Sequence, residues 1–218
     1  MFKKVCIIGC GLIGSSIARV IRKQNLSAKI VSSNRSDSVN KKVIELKIVD
    51  DSNSDTKKMA EGSDLIIIAT PLSSYENVIL KIKDSLKNGS ILTDVGSVKE
   101  NVIILIEKNV PKNVSWISSH PIAGTEESGP EAGFSELFEN RWCILTPSKK
   151  TNEPAANFFL MNFDETRINS DEVFEKLAAE KLILRKMTQY KISNALRLTI
   201  GNKEVNEHFI KSVGSILK

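Results

Sequence analysis

A strand, a glycine-rich turn and a helix begin in the stretch Val5-Cys6-Ile7-Ile8-Gly9-Cys10-Gly11-Leu12-Ile13-Gly14, and this stretch decides the fold. Its first four residues form a short apolar run that stops at Gly9, as a buried parallel strand does. Beyond the turn, apolar residues follow helical spacing at Ile13, Ile17, Val20 and Ile21. A strand that passes through glycines directly into a helix is typical of a parallel α/β sheet.

The same alternation of strand and helix continues outward to about residue 150. The clearest further strand is the apolar run that begins at Asp64 and ends at Pro71, and its continuous apolar character predicts cover on both faces. Other patterns predict strands at Lys29–Ser32, Ser90–Val95, Val114–Ser118 and Trp142–Thr146, and helices at Lys41–Leu46 and Val98–Lys108. This alternation predicts an α/β fold, a doubly wound Rossmann-type parallel sheet, over residues 1–150.

The pattern changes after residue 150. Residues 151–156 are polar and interrupted by proline, which predicts a linker. Residues 157–218 predict a small α+β appendage in the order β-α-β-β-α. Its elements are expected at Asn157–Phe163, Asp171–Lys181, Ile183–Met187, Ala195–Ile200 and a final helix capped by Asn202. About 60 residues are few for an independent core.

Composition excludes several classes of protein. The net charge of +5 is spread along the chain without a basic run or a nucleic-acid-binding motif, so we expect a small anionic substrate and no nucleic acid. The three cysteines are too unevenly spaced for a disulfide framework or a zinc site, which favours a cytoplasmic protein and no metal. No segment has the roughly 20 apolar residues of a membrane span.

The glycine run has the spacing of a dinucleotide-binding turn. Gly9 allows the tight turn, Gly11 lets the backbone approach a pyrophosphate, and Gly14 lets the helix pack on the sheet. Leu12 and Ile13 open the helix, whose N-terminal N–H groups attract phosphate. A purely structural glycine turn is the alternative, and the placement between a strand and a helix favours dinucleotide binding.

The position that usually carries an acid for the adenosine ribose is occupied here by Asn34, followed by Arg35. Without the acid there is no repulsion of a 2′-phosphate, and Arg35 can pair with one. This favours NADP over NAD as the cofactor. The alternative is that Arg35 is a solvated loop residue.

One of the two histidines lies in a distinctive segment. His120 follows a predicted strand and opens the run His120-Pro121-Ile122-Ala123-Gly124-Thr125-Glu126-Glu127-Ser128-Gly129. At the carboxyl edge of a parallel sheet an imidazole group is well placed to accept a proton from a bound hydroxyl. A hydrogen-bonded structural histidine is the alternative. His208 lies in the last amphipathic helix and is expected on the surface.

Four segments together resemble the prephenate and arogenate dehydrogenases of tyrosine biosynthesis. They are the glycine run, Ala69-Thr70-Pro71, Asp94-Val95-Gly96-Ser97-Val98-Lys99 and the run that begins at His120. The resemblance covers about residues 1–150 and implies an NAD(P)-dependent oxidative decarboxylation of a cyclohexadienol. In that reaction hydride leaves C4, carbon dioxide is lost, and aromatisation drives the step.

The resemblance also implies roles for individual residues. His120 accepts the hydroxyl proton, Ser97 hydrogen-bonds the histidine or the substrate hydroxyl, and Glu126 orders the substrate pocket. Thr70 and Pro71 line the cofactor site with the glycine run. Without the resemblance, Ser97 is an ordinary turn residue and Glu126 a surface acid, and Lys99 is expected to be a solvated helix charge.

The tail departs from this family, whose members continue into a helical domain that forms the dimer and supplies an arginine for the substrate carboxylate. Here residues 157–218 instead resemble the C-terminal end of a histidinol-phosphate aminotransferase, in which the arginine matching Arg197 binds a carboxylate. The chain therefore resembles a fusion joined near Pro154–Asn157, and its oligomeric state stays open. Two functions remain: a working dehydrogenase, or a cofactor-binding chain without turnover.

Overall fold

The computed structural model of the chain describes residues 1–141, 143–146, 158–162, 169–182, 184–186, 194–199 and 203–216. Contacts divide the chain into two compact units, Met1–Ala155 and Ala156–Lys218. The linker predicted at residues 151–156 lies outside the described residues, so its place stays a prediction.

The first unit is built on a seven-stranded sheet. The strands are β1 (Val5–Ile8), β2 (Ile30–Ser33), β3 (Asp51–Asn53), β4 (Leu65–Ile68), β5 (Ile91–Asp94), β6 (Ser115–Pro121) and β7 (Cys143–Thr146). They lie in the order β3-β2-β1-β4-β5-β6-β7. The first six run parallel, whereas β7 pairs antiparallel with β6 at the edge. The predicted α/β Rossmann-type fold is confirmed, with one antiparallel strand added.

Five helices connect the parallel strands: α1 (Leu12–Lys23), α2 (Asp37–Glu45), α3 (Thr56–Ala60), α4 (Tyr75–Ile82) and α5 (Glu100–Asn109). The two middle strands show why both faces of the sheet are covered. Successive strand residues point to opposite faces, and Cys6 and Ile8 belong to one buried cluster while Val5 and Ile7 belong to another. The apolar run of β4 is divided in the same way, which confirms cover on both faces.

A carboxylate connects the amino ends of β1 and β4 by hydrogen bonds. Asp64 directly precedes β4, and one of its oxygens accepts the backbone N–H groups of Lys3 at 2.7 Å and Lys4 at 3.1 Å. The other oxygen accepts from Lys87 Nζ at 2.5 Å. The hydrogen bond from Lys87 is the main cause that lowers the pKa of Asp64 from 3.8 to about 2. The carboxylate form therefore stabilises the folded chain.

This gives a pH-dependent prediction for Asp64→Asn. Because the folded-state pKa lies below the unfolded value, the stabilisation is complete above about pH 4 and is lost as the pH falls through about 2. We expect the variant to be less stable than the wild type at pH 6, with the difference shrinking towards pH 2. Urea unfolding across that range measures it, and a difference independent of pH would contradict it.

The second unit contains β8 (Phe158–Asn162), α6 (Ser170–Ala179), β9 (Arg185–Lys186), β10 (Ala195–Thr199) and α7 (Lys203–Ile216). The three strands form an antiparallel sheet in the order β8-β10-β9. The predicted order β-α-β-β-α is observed, and the N-cap predicted at Asn202 lies outside the described residues. A small core holds the unit together, formed by Val173, Leu177, Leu182, Leu184, Leu196 and Val213. None of the helices in the described part of the chain is long and apolar enough to cross a membrane.

Candidate functional site

The glycine turn between β1 and α1 depends on two close approaches. Gly9 has a φ of +96°, and a Cβ there would lie 2.8 Å from the carbonyl oxygen of Ala69. A Cβ at Gly14 would lie 2.0 Å from the carbonyl oxygen of Gly9. In contrast, a Cβ at Gly11 would meet no atom within 4 Å. The outer glycines are required for packing, and Gly11 faces open space where a ligand can approach.

The amino end of α1 is available to an anion. Gly11 is its N-cap, no side chain caps it, and its first turn holds no acidic residue. The first N–H groups of a helix carry partial positive charge and have no partner within the helix. A phosphate placed at this end would satisfy them.

A cavity of about 600 Å³ opens at the carboxyl ends of β1, β2 and β4. Six residues that the sequence predicts for cofactor binding line it: Gly9, Gly11, Asn34, Arg35, Thr70 and Pro71. The other three predicted residues, Leu12, Ile13 and Gly14, lie in the first turn of α1 and are not among the lining residues. The carboxyl edge of a parallel sheet is where such folds bind ligands.

The charge of the cavity lining is positive. Arg35 and Lys81 are its two cations, and no aspartate or glutamate is among the described residues that line it. The sequence analysis did not identify three further lining residues: Ser74, Asn77 and Lys81. A signal in the sequence does indicate the helix that carries Asn77 and Lys81. It is a buried face with helical spacing, formed by Tyr75, Val78, Ile79 and Ile82.

Asn34 stabilises the glycine turn by a hydrogen bond to its backbone. Its side-chain oxygen accepts the backbone N–H of Cys10 at 2.6 Å, and its side-chain nitrogen donates to Asn40 Oδ1 at 3.0 Å. The residue is buried. Its amide is therefore engaged inside the protein, at the position where the sequence showed no acid, and it fixes the turn that approaches the ligand.

A buried hydroxyl group of a residue that lines the cavity lacks a partner in the described part of the chain. Thr70 follows β4 and lines the cavity, and its Oγ1 is buried without a hydrogen-bond partner among the described residues. An unpaired buried hydroxyl costs free energy, on the order of 1–3 kcal/mol. A bound polar ligand would provide the missing hydrogen bond, so the residues present fit a dinucleotide.

The end of the histidine run and the residue that follows it complete the rim. Gly129 and Pro130 line the cavity, and the chain then crosses α1. Arg19 donates to the carbonyl oxygen of Pro130 at 3.5 Å, and Lys23 pairs with Glu136 at 2.6 Å. These contacts hold the rim against the helix whose amino end faces the cavity.

His120 lies inside β6, which corrects the prediction that the strand ends before it. The strand is longer because β7 pairs with it, and His120 lies opposite Ile144 in that pairing. The imidazole-bearing residue is half-buried at the carboxyl end of β6. The residues that follow, from Ile122 to Thr125, line a cavity of about 420 Å³ together with residues between Phe134 and Arg141, and His120 is not among its described lining residues.

Ser97 and Glu126 are both exposed near this edge. Ser97 lies in the bend between β5 and α5, and Glu126 lies in the loop that follows β6. Because β5 and β6 are neighbours, Ser97 follows the carboxyl end of one strand, and His120 lies near the carboxyl end of the next. In the described part of the chain, no hydrogen bond joins Ser97 to His120. Their predicted roles stay predictions.

Lys99 is not the solvated charge that the sequence predicts. Its side chain is only 15% exposed, and its Nζ lies 2.8 Å from an oxygen of Asp94, which is fully buried. Lys99 is buried because the backbone pairing of β5 and β6 ends at Thr93 and Ile117, and hydrogen bonds of Asp94 and Lys99 connect the two strands beyond that point. Among the described residues, no group of three His, Cys, Asp or Glu side chains is placed to hold a metal ion.

The fold and the glycine turn define a nucleotide-binding domain of the Rossmann type. Residues 17–168 match the family described as prephenate dehydrogenase, nucleotide-binding domain. This is more than half of the chain, and the chain belongs to that family.

Two relatives show how far the similarity reaches. The cyclohexadienyl dehydrogenase of Zymomonas mobilis is 34% identical over 171 residues, which cover 78% of this chain and 58% of that protein. The crystal structure of prephenate dehydrogenase from A. aeolicus in complex with hydroxyphenyl propionate and NAD+ has a TM-score of 0.65 at 29% identity. The match covers 71% of this chain and 54% of the other. The chain thus spans a little over half the length of these relatives.

A separate similarity concerns another enzyme. The histidinol-phosphate aminotransferase of Pelagibacter ubique is 42% identical over 67 residues, which cover 30% of this chain and 19% of that protein. This is consistent with the resemblance noted for residues 157–218.

Proposed function

We propose that the chain oxidises and decarboxylates prephenate or arogenate with NADP or NAD as the hydride acceptor. The observation that carries the proposal is the position of two sites on one sheet edge. The cofactor cavity lies at the carboxyl ends of β1, β2 and β4, and His120 lies at the same end of β6. A substrate bound at this edge of the sheet would contact both a hydride acceptor and a proton acceptor.

Groups of this chain that line or face the cavity would hold the cofactor. The amino end of α1 and the backbone at Gly11 would hold the pyrophosphate. Arg35 would pair with a phosphate on the adenosine ribose, and the unpaired hydroxyl of Thr70 would gain a polar partner from the cofactor. When bound, the nicotinamide ring supplies the acceptor for the substrate hydride.

The proton follows a separate route. His120 accepts the proton of the substrate hydroxyl as hydride leaves C4 and C4 becomes a carbonyl carbon. Loss of carbon dioxide then leaves an aromatic phenolate, which takes the proton back from His120. Ser97 hydrogen-bonds the same hydroxyl and fixes its direction. Glu126, in the loop that follows β6, orders the substrate side of the pocket.

The charge of the cavity supports NADP over NAD. Arg35 directly follows Asn34, and the described lining residues include no acid that would repel a 2′-phosphate. A guanidinium group can pair with phosphate through two parallel hydrogen bonds. Arg35 is therefore the residue that distinguishes the two cofactors.

Replacing Arg35 tests this choice. We expect Arg35→Ala to weaken NADP+ binding about tenfold to a hundredfold, as loss of a charge-assisted hydrogen bond does. NAD+ binding should change little because it lacks the 2′-phosphate. The matched control is Arg22→Ala, since Arg22 is paired with Asp50 away from the cavity. Equal effects on both cofactors would contradict the role of Arg35.

A second candidate is a chain that binds the cofactor without turnover. One observation favours it: residues 157–218 resemble an aminotransferase end, and 30% of the chain is similar to such an enzyme. The two candidates separate when the purified chain is mixed with NADP+ or NAD+ and prephenate or arogenate. Formation of reduced nicotinamide supports the dehydrogenase. Saturable cofactor binding without reduction supports the second candidate.

A further inference from the structure

The strands beneath the histidine are joined by side chains where their backbone pairing stops. β5 and β6 pair in register up to Thr93 and Ile117. One position further, Asp94 Oδ1 accepts the hydroxyl of Ser118 and the backbone N–H of Ser119, both at 3.1 Å. A carboxylate therefore continues the connection between the two strands towards the sheet edge.

The second oxygen of the same carboxylate gathers three more donors. Asp94 Oδ2 accepts from Lys99 Nζ at 2.8 Å, from the backbone N–H of Gly96 at 3.0 Å and from the hydroxyl of Tyr75 at 3.2 Å. Burial, and secondly the charge of Asp94, raise the pKa of Tyr75, so its hydroxyl stays a donor. The fully buried carboxylate thus has five donors and a neighbouring positive charge.

Lys99 completes a clamp on a single residue. Its Nζ also donates to the carbonyl oxygen of Ser119 at 2.5 Å. The Asp94–Lys99 pair therefore holds both backbone groups of Ser119, the N–H through the carboxylate and the C=O through the ammonium. The Ser119 hydroxyl adds a bond to the backbone carbonyl of Asp94. His120 is the next residue, so its backbone has little freedom.

The same pair also holds the residue before Ser97. The bond from Gly96 N–H to Asp94 ties the turn that carries Ser97 to the carboxylate that holds Ser119. Gly96 is closely enclosed, because a Cβ there would lie 2.7 Å from a methyl group of Leu72. One ion pair thus fixes the chain directly before each of the two polar residues at this edge.

Net stability is a weak explanation for this pair. A buried ion pair contributes little compared with apolar side chains of similar volume, whereas removing one partner leaves a costly unpaired charge. An ion pair with many directional hydrogen bonds does fix geometry.

We propose that Asp94 and Lys99 are positioning residues that set His120 relative to Ser97 for proton transfer. The proposal rests on the proposed function, which assigns proton transfer to His120. Neither residue lines the cofactor cavity. Their loss should disturb the histidine edge while cofactor binding is retained.

The test uses the full chain and three variants: Lys99→Met, Lys99→Arg and the double variant Asp94→Asn/Lys99→Met. The matched control is Lys87→Met, which removes a lysine from an aspartate at the opposite end of the strands. The chain has two histidines, so His208→Gln assigns the imidazole NMR resonances of His120. Stability, cofactor affinity and kcat are measured for each variant.

We expect the His120 resonances to move or broaden in Lys99→Met and to return towards the wild type in Lys99→Arg, which keeps the charge and donors. In turnover, kcat should fall about tenfold to a hundredfold in Lys99→Met at an unchanged KM for the cofactor. The double variant has no buried unpaired charge, so its stability should recover while the His120 signal does not. Lys87→Met should leave the His120 resonances unchanged.

Two results would overturn the positioning role: wild-type His120 resonances in a folded Lys99→Met protein, or recovery of both stability and the His120 signal in the double variant. If Lys99→Met does not fold, the double variant and Lys99→Arg decide the question. Failure of the proposed function appears separately, as absence of turnover by the wild-type chain, and the imidazole resonances still test the positioning of His120.

Discussion

His120→Ala is expected to lower kcat for the oxidation of prephenate or arogenate about a hundredfold to ten-thousandfold, the usual contribution of a positioned general base. The half-buried imidazole at the carboxyl end of β6 is the proposed acceptor of the hydroxyl proton. Without it, the hydroxyl proton must pass to water while hydride leaves the carbon that bears the hydroxyl. Initial rates of nicotinamide reduction measure the loss.

Cofactor affinity provides the internal control for this variant. His120 does not line the cofactor cavity, so NADP+ or NAD+ should bind to His120→Ala as to the wild type. His208→Ala is the matched histidine variant, because His208 is exposed and lies in the second unit. Unimpaired turnover by His120→Ala would show that another group takes the proton.

Gly14→Ala is expected to abolish cofactor binding and to destabilise the first unit. The added Cβ would lie 2.0 Å from the carbonyl oxygen of Gly9. Gly9 cannot easily yield, since its φ is +96° and its N–H donates to the carbonyl oxygen of Ser33 at 2.9 Å. Relief of such a clash by backbone shifts costs about 1–3 kcal/mol. Thermal unfolding and cofactor titration measure the two effects.

Gly11→Ala separates binding from folding. A Cβ at Gly11 meets no atom within 4 Å, so this variant should unfold at the wild-type temperature. Its methyl group nevertheless enters the path of the pyrophosphate and should weaken cofactor binding. Wild-type stability and wild-type binding in Gly14→Ala would contradict the close approach at the turn.

The parts of the fold with strong apolar patterns could be predicted from the sequence. β1 and β4 are continuous apolar runs buried on both faces. The bounds predicted for β1 match the structure, whereas β4 begins one residue after the predicted start and ends three residues before Pro71. β3 could not be predicted, because Asp51-Ser52-Asn53 is an edge strand without an apolar pattern. α3 has five residues, too few for a helical period to show.

The site was predictable where a local motif specifies it. The glycine turn and His120 are local signals, and both lie at the carboxyl edge of the sheet, as the sequence predicts. The clamp on Ser119 is not local, because Asp94 and Ser119 lie 25 positions apart and meet only when β5 and β6 pair. For the same reason, the sequence could not distinguish Lys99 as a buried ion-pair partner from a solvated lysine.

The central claim is that the cavity at the carboxyl ends of β1, β2 and β4 holds a nicotinamide dinucleotide. Calorimetric titration of the full chain with NADP+ and with NAD+ tests this claim most directly. We predict saturable binding at one site per chain, tighter for NADP+, and weakened in the folded Gly11→Ala variant. Absence of saturable binding of either cofactor to the folded wild-type chain would contradict it.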